Sequence, residues 1–574
     1  MTMRLIIFGV CWICMAGFTR ASTSSSPSTN SVNDAEMQSQ AFAIQTRLPQ
    51  YNHIPSAESP CFQIRQVVLV QSSHDSNMDD AILPGIPTQW EATFNGSREA
   101  ISGLQGDDAP TGKCIGSKGI AIVIKRIQDQ FVKHGFATTR VLAAEQDLAS
   151  GVLKLIVIPG RVKEIRFHPE QQNPIGFKTA VPVRSGEILN LRDVEQALEN
   201  FKRVPTVEAD VEIVPAEDAA SVGQSDLVIS HRQRAPARFS LAADDGGSKS
   251  TGKYQGSATL SLDNPLQLSD LFYFTSSHDL GGGNEGSRGT HGYSMHYSVP
   301  LRYWMLGTTY SKNSCFQSVD GMYQNYTYSC FSESSEIKLS VVAYRDAVRK
   351  TTVSLKALQY KSNNFIDDTE VLVERRVVGA WELGVYHKDT LGRASLDGGF
   401  SYKRGSNDFG ALAAPEEMFD EGRSKMGVMT MDLHMLEPFT VWNNHFNYNV
   451  ALRVQDNTTP LTPQDRFVIG GRNVVRGFDG EATLSASRGW TLRNDWGLAV
   501  ASSGQEVYLG LDAGEVSGQS VQARSGNSLS GGVIGFRGAY KKLKFDFFLG
   551  TPLIQPEGFT TAETSAGFSL SLNL

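Results

Sequence analysis

From Pro236 to Leu574 the chain repeats one pattern: short segments in which apolar and polar residues alternate, such as FSLAA, ATLSL and YSMHYSV, with no helical spacing between them. A period of two puts successive side chains on opposite faces of an extended strand, so each segment has one apolar and one polar face. Sixteen such segments can be counted, from 237–244 to 564–574, with 302–311, 335–345 and 371–387 among them. Their connections fall into two classes. Links after even-numbered segments are short, as in DNPLQLS, PL and YKK. Those after odd-numbered segments are long: GGGNEGSRGTHG, the stretch between Cys315 and Cys330, RGSNDFGALAAPEEMFDEGRS, and the stretch containing RNVVRGFDGE.

An even number of strands with short turns at one end and long loops at the other is what an outer-membrane barrel requires. Hydrocarbon cannot solvate the unpaired backbone of a sheet edge, so the strands are expected to close on themselves. A soluble sandwich or propeller explains the alternation but not the two loop classes. Both ends of the barrel then fall on the short-turn, periplasmic side. The last segment, TSAGFSLSLNL, ends in Leu574 where bacterial barrels usually carry an aromatic residue, a departure that bears on assembly.

Composition narrows the rest. With 20% charged and 40% apolar residues and a mean hydropathy of -0.24, the chain is too polar for a helical membrane protein. A net charge of -7 argues against nucleic acid as the main partner. Residues 1–21 read as an export signal: Arg4, an apolar run from Leu5 to Phe18, then Thr19 and Ala21 for cleavage. Cleavage there leaves Cys61, Cys114, Cys315 and Cys330, an even number that favours disulfides in an exported protein. Four cysteines allow three pairings, and their distances suggest a local one in each half.

Between the signal and the barrel the pattern is different. In 22–60 a Ser/Thr-rich start, a short helix over 32–47 and Pro49, Pro55 and Pro60 suggest a helix followed by an extended linker. From Cys61 to residue 235 the pattern is mixed α and β. FQIRQVVLV reads as a strand. The next helix carries Ile120, Val123, Ile124, Ile127 and Phe131 on one face, with Ser117 as N-cap and Gly135 as stop. Two strands broken at Pro159–Gly160 follow. A second helix starts at Asn190 and carries Leu191, Val194, Leu198 and Phe201 on one face, before VEADVEIVP and SDLVISH. The order strand, helix, helix, strand, strand occurs twice, which implies two small tandem domains, 61–158 and 159–235.

RNVVRGFDGE, at 472–481, fits neither description. A solvated loop has no need of Val474–Val475 before its arginine or of Phe478 after it. Five stretches of the chain, taken in order, account for it: PCFQI from Pro60, HGFATTRVLAAEQDLASGVLKLIVIPGRV, LNLRDVEQALENFKRVP from Leu189, RFVIGGRNVVRGFDGE from Arg466, and YLGLDAG from Tyr508. With these the chain resembles the outer-membrane transporters of two-partner secretion, the ShlB/FhaC/HecB hemolysin activator type, over nearly its whole mature length.

The resemblance implies two periplasmic α+β POTRA domains, a 16-stranded antiparallel transmembrane β-barrel over 236–574 and a short N-terminal plug helix, in a Gram-negative outer membrane. It places Val475, Arg476, Gly477 and Phe478 at the tip of a loop, 456–488, that folds back into the barrel. Asp512 on the inner wall becomes the partner of Arg476. A guanidinium is a rigid, permanently charged fork, and a carboxylate can accept two hydrogen bonds from it, so the pair reads as a latch. The alternative is an ordinary solvated arginine. The resemblance also favours a Cys61–Cys114 bond, and it implies cargo recognition by the POTRA region around Leu191, Arg192, Glu195, Leu198 and Asn200. The implied partner is a secreted, β-helical exoprotein, a hemolysin, adhesin or contact-dependent toxin, recognised through its N-terminal secretion domain. Membrane lipid and periplasmic chaperones complete the set. An assembly insertase of the BamA/TamA kind is the second expectation and a passive porin or adhesin the third.

Other motifs carry less. GSKSTGKY at 247–254 approaches a phosphate loop, but Tyr254 stands where the magnesium-binding hydroxyl belongs and no helix follows. The eleven histidines show no metal-ligand spacing, and Asp367–Asp368 and Glu416–Glu417 read as solvated loop carboxylates. No cofactor, no metal and no enzymatic chemistry are expected.

Overall fold

The computed structural model describes residues 53–55, 58–71, 88–103, 108–169, 177–217, 223–471, 473–500, 503–518 and 526–574. The expected signal and the helix over 32–47 lie outside them. The described residues up to Arg234 and those from Ala235 onward form two compact units.

In the first unit, β1 (Gln66–Gln71), α1 (Thr88–Gly103), α2 (Ser117–Lys133), β2 (Arg140–Leu142) and β3 (Val152–Ile158) make one domain. Strand β3 is central, parallel to β1 and antiparallel to β2. The second domain is β4 (Arg161–Phe167), α3 (Leu191–Lys202), β5 (Val207–Pro215) and β6 (Gln224–Gln233), and again the last strand is central, parallel to the first. The expected double repeat needs correction. Among the described residues the second domain has one α-helix, with a 3-10 turn at Phe177–Thr179 before it. The first domain has the expected order strand, helix, helix, strand, strand, although no apolar face in the sequence locates helix α1. The sequence of α1, TQWEATFNGSREAISG, is mostly polar, and its packing rests on Trp90 and Phe94, which stack on each other at 5.4 Å, with the Trp90 ring 5.5 Å from Phe131.

Helix α2 buries Val123, Ile127 and Phe131 against Leu153, Leu155 and Val157 of β3, the apolar side of an alternating strand. Its cap also differs from expectation. Ser117 is the first helical residue, and Gly116 at the N-cap offers no side chain. Glu58 supplies the cap instead: its carboxylate accepts from the backbone N of Gly116 at 2.5 Å, Lys118 at 3.0 Å and Gly119 at 3.0 Å. A negative charge suits the positive end of the helix dipole. Desolvation raises the Glu58 pKa, but the three N–H donors outweigh it and hold the group below the usual carboxylate range. Ile54 is buried nearby and its N–H donates to Asp108 at 2.8 Å. The described part of 53–60 is therefore strapped to its domain, where a free linker was expected. Gly135, at φ 94°, ends the helix in the left-handed region and leaves room for Asn190, whose Oδ1 caps α3 by accepting from Arg192 N at 2.9 Å.

The second unit is a closed antiparallel barrel. Its sixteen long strands begin with β7 (Ala237–Asp244), β8 (Gln255–Asp263), β9 (Leu271–Asp279), β10 (Arg288–Leu301) and β11 (Trp304–Asp320). They continue with β12 (Asn325–Arg345), β13 (Arg349–Ile366), β14 (Arg376–Leu391), β15 (Ala394–Ser406), β16 (Gly427–Val441) and β17 (Asn444–Asn457). The last five are β18 (Arg488–Ala499), β19 (Gln505–Ser517), β20 (Ser528–Tyr540), β21 (Leu543–Ile554) and β22 (Ser565–Asn573), which pairs back onto β7. The outer face is apolar: Leu383, Leu509, Ile534 and Leu549 are each more than half exposed. The opposite parity faces a polar lumen, as with Ser354, Asp495 and Asp512.

The segments 302–311, 335–345 and 371–387 differ from the strands observed. Segments 302–311 and 335–345 are the inner parts of longer strands, and the connection between β11 and β12 is only 321–324. The Cys315–Cys330 stretch is consequently no loop; the two residues are cross-strand partners. Beyond the apolar belt both faces of these strands are polar, so alternation disappears while pairing continues. Segment 371–387 starts with a 3-10 turn at Leu372–Glu374, and β14 begins at Arg376.

Candidate functional site

The site is assembled on the inner wall where β18 to β21 meet the loop 458–487. In β19 the even-numbered residues Tyr508, Gly510, Asp512, Gly514 and Val516 are buried, while Val507, Leu509 and Leu511 face outward. The loop is a folded element. Phe467–Ile469 pairs with Leu484–Ala486 as a short ribbon, and Val475 and Phe478 pack with Phe467, Ile469, Leu484, Val516 and Leu529. Val475 and Phe478 are 0% and 1% exposed, which answers why the tip carries apolar residues: they seat it on the wall.

Arg476 is 2% exposed and Asp512 1%. Its backbone N donates to Asp512 Oδ2 at 2.9 Å, Nε to the same oxygen at 2.7 Å, and Nη2 to Oδ1 at 2.7 Å. Nη2 also reaches Asp495 on β18. Asp495 Oδ2 accepts from Arg537 Nη1 of β20 at 2.8 Å, and Arg537 Nε donates to Glu506. Arg493 Nε lies 3.7 Å from Asp512. The Tyr508 ring sits 4.4 Å from the Arg537 guanidinium and 5.7 Å from that of Arg476, while its hydroxyl donates to Asp546 of β21 at 2.9 Å. Arg476 thus joins a network spanning four strands, in which charges removed from water keep partners on every side. Such a network need not add net stability, but it specifies one position for the loop tip.

Glycines make the close approach possible. Gly477 has φ 102°, and a Cβ there would lie 2.5 Å from the Thr551 carbonyl. A Cβ on Gly531 would collide with the Arg476 carbonyl, and one on Gly510 would come within 2.6 Å of Arg476 Nη2. Further along, Asp479 accepts from Ala562 N at 3.2 Å, and Phe478 meets Phe559 edge-on at 5.8 Å, so the 555–564 loop covers the tip from the other side.

Parity could have grouped Asp495 and Arg493 on one face of TLRNDW, and Tyr508 with Asp512. That these side chains and Arg537 lie level with Arg476 depends on strand register, which no local pattern states.

In the periplasmic unit, helix α3 carries the other candidates. Arg192 Nη1 donates to both oxygens of Glu195, at 2.6 and 2.8 Å, and Leu191 and Leu198 are half-buried. Asn200 needs correction as a surface contact. It is 2% exposed, donates to the Ala180 carbonyl at 2.7 Å and accepts from Gln196, so it belongs to the domain interior. Cys61 is bonded to Cys114 and Cys315 to Cys330, with Cα separations of 5.2 and 5.0 Å. Among the described residues no group of three His, Cys, Asp or Glu side chains is placed to hold a metal ion.

Comparison with known proteins gives three family matches. Residues 223–538 match the family described as haemolysin secretion/activation protein ShlB/FhaC/HecB, residues 107–160 a ShlB-type POTRA domain and residues 161–215 a POTRA domain. Outer membrane transporter CdiB-2 of Burkholderia pseudomallei (strain 1026b) is 31% identical over 546 residues, 94% of this chain and 91% of that protein. Hemolysin transporter protein HpmB of Proteus mirabilis is 22% identical over 70% of this chain and 71% of its own length. Among solved structures, CdiB from Acinetobacter baumannii superimposes with a TM-score of 0.78 at 28% identity, covering 95% of this chain and 98% of that one.

Proposed function

The chain belongs to the haemolysin secretion/activation protein family ShlB/FhaC/HecB, and from that premise we propose how it moves its cargo. It is an outer-membrane transporter of two-partner secretion, with POTRA domains in the periplasm and a secreted exoprotein as its partner. Secretion, not insertion of other barrels, is the reading its relatives support. The relatives are transporters, and in this reading the chain carries no reaction of its own. A hemolysin, adhesin or contact-dependent toxin is the cargo class.

The POTRA domains take up the unfolded secretion domain of the cargo. Among the described residues β1 and β5 are sheet edges, whereas the start of β4 is already engaged by 186–188; an added strand could pair with such an edge, and Leu191, Arg192, Glu195 and Leu198 of α3 offer side chains for specificity. The barrel conducts the chain outward. With no nucleotide in the periplasm, folding at the surface supplies the drive.

The observation that carries the mechanism is the buried attachment of the Arg476 tip to Asp512 and Asp495. A loop held inside the lumen must shift before a polypeptide can pass. The network then acts as a latch with one resting position and a cost for leaving it.

The test is export of the cognate exoprotein with the wild-type transporter, with Arg476→Ala and with no transporter, at matched barrel levels. Export is expected to fall at least tenfold in the variant, the scale of losing a buried charge pair. Export that is the same without the transporter would end the secretion reading. Export unchanged in the variant would leave secretion standing and remove the latch.

A further inference from the structure

The base of the inward loop is held by a different wall from its tip. Residues 458–466 leave β17 and run toward β15 and β16. Gly427 N donates to Thr459 Oγ1 at 3.0 Å, Asn457 Nδ2 to the Thr459 carbonyl at 2.7 Å and Gln455 Nε2 to the Asp465 carbonyl at 2.8 Å. One contact in this region is a charge pair. Lys403 of β15 places Nζ 2.6 Å from Asp465 Oδ1, and Thr462 Oγ1 donates to Asp465 Oδ2 at 3.1 Å. Both partners are largely enclosed, with side chains 25% and 11% exposed.

Lys403 lies two strands from the strand that the loop leaves, so the pair reaches across the inner face of β16. It also belongs to a cross-strand row: Lys403 is opposite Glu382, Glu382 opposite Lys356, and Lys356 opposite Lys338. Glu382 is engaged by Lys356 at 3.1 Å. Asp465 therefore brings to the row the charge that balances Lys403. Beyond the ribbon strand at 467–469, Gly470 and Gly471 stand at φ 117° and 81°, a pair of left-handed glycines between base and tip.

We propose that Lys403 is a positioning residue for transport: with Asp465 it forms a second anchor that keeps the loop base on β15 while the tip is released from β18–β20. This rests on the latch reading above. The loop then works as a flap hinged at Gly470–Gly471 and does not withdraw as a whole.

The test uses the full-length transporter in the outer membrane. The four cysteines among the described residues are disulfide-bonded, so an introduced thiol there is the reporter. Gln464→Cys reports on the base and Asn473→Cys on the tip, each read by its rate of reaction with a membrane-impermeant maleimide. Lys403→Gln and Asp465→Asn are each expected to raise labelling of the base about tenfold, with the swap Lys403→Asp/Asp465→Lys returning it to within about twofold, because a double-mutant comparison isolates the pair. Arg476→Ala is expected to raise labelling of the tip and leave the base unchanged. Base labelling that ignores both single variants while the barrel stays folded overturns the anchor. So does a swap that labels like the single variants, since Lys403 would then act by packing. Neither result touches the transport reading, which fails only if export proves independent of the transporter.

Discussion

The periplasmic unit and the barrel obey the same side-chain alternation and turn it in opposite directions. In the first, Phe131, Leu153, Leu155 and Val157 are fully buried and the charged residues lie outside. In the second, Leu383, Leu509, Ile534 and Leu549 point outward, while Arg476, Asp495 and Asp512 are buried. The difference teaches that burial follows the solvent, not the residue type. Water surrounds one unit, so its apolar faces meet each other. Lipid surrounds the other, so its apolar face looks out, its closed ladder of strands satisfies the backbone, and its inner face is free to carry charge.

Four experiments would break or sharpen that contrast, each on the full-length protein. The largest effect is expected from Phe131→Ala, which should cost the first unit about 3–5 kcal/mol, whereas Leu383→Ala on the outer wall should change little. Hydrogen exchange of α2 and of β14 would read both, and equal effects would contradict the contrast. Next, Leu383→Arg should cost the barrel about 2–4 kcal/mol if that position lies near the bilayer midplane. The measure is the fraction of folded barrel that survives detergent without heating. A lumen-facing Ser354→Arg at wild-type level beside it would complete the comparison.

A smaller effect separates two neighbouring glycines. Gly531→Ala puts a Cβ into the Arg476 carbonyl and should displace the tip at about 1–3 kcal/mol, the usual cost of overpacking. Gly532→Ala, whose Cβ would find its nearest neighbour at 3.5 Å, should be neutral. Protease sensitivity of the 472–481 tip distinguishes them, and equal sensitivity would mean that the wall is not shaped for the loop.

The smallest effect is pH dependence at Glu58. Its folded pKa is depressed, so its contribution is present above the unfolded value of about 4.3 and is lost as pH falls through the folded value. Protection of the Gly116, Lys118 and Gly119 amides, taken relative to the intrinsic exchange rate at each pH, should therefore fall in acid, and Glu58→Gln should abolish that pH dependence. A variant that keeps the wild-type profile would assign the strap to other groups.

Much of the fold was legible in the residues. The sixteen strands announce themselves because alternation is set by neighbours in the chain. The paired helices and strands of 61–235 follow from 3.6-residue spacing and from Pro159–Gly160. Where one of these local signals was absent, the reading failed. Helix α1 has too few apolar residues to show a face. The outer parts of β11 and β12, SKNSCFQSVD and NYTYSCFSES, are polar on both sides and read as a loop. The resemblance, more than any spacing, named Arg476 and Asp512. Nothing local pointed to Asp495, Arg537 or Lys403.

What the amino-acid sequence determined by itself is the period of each segment, the even strand count and the sidedness of the loops. These depend on the geometry of a few consecutive residues. The tertiary structure alone decided which residues stand level with one another: Asp495 and Asp512 beneath Arg476, Lys403 beside Asp465, Glu58 at a helix end 58 positions along the chain. Register between strands and the approach of a distant carboxylate are properties of the closed fold. No pattern within one segment can encode them, because each depends on where another segment comes to rest.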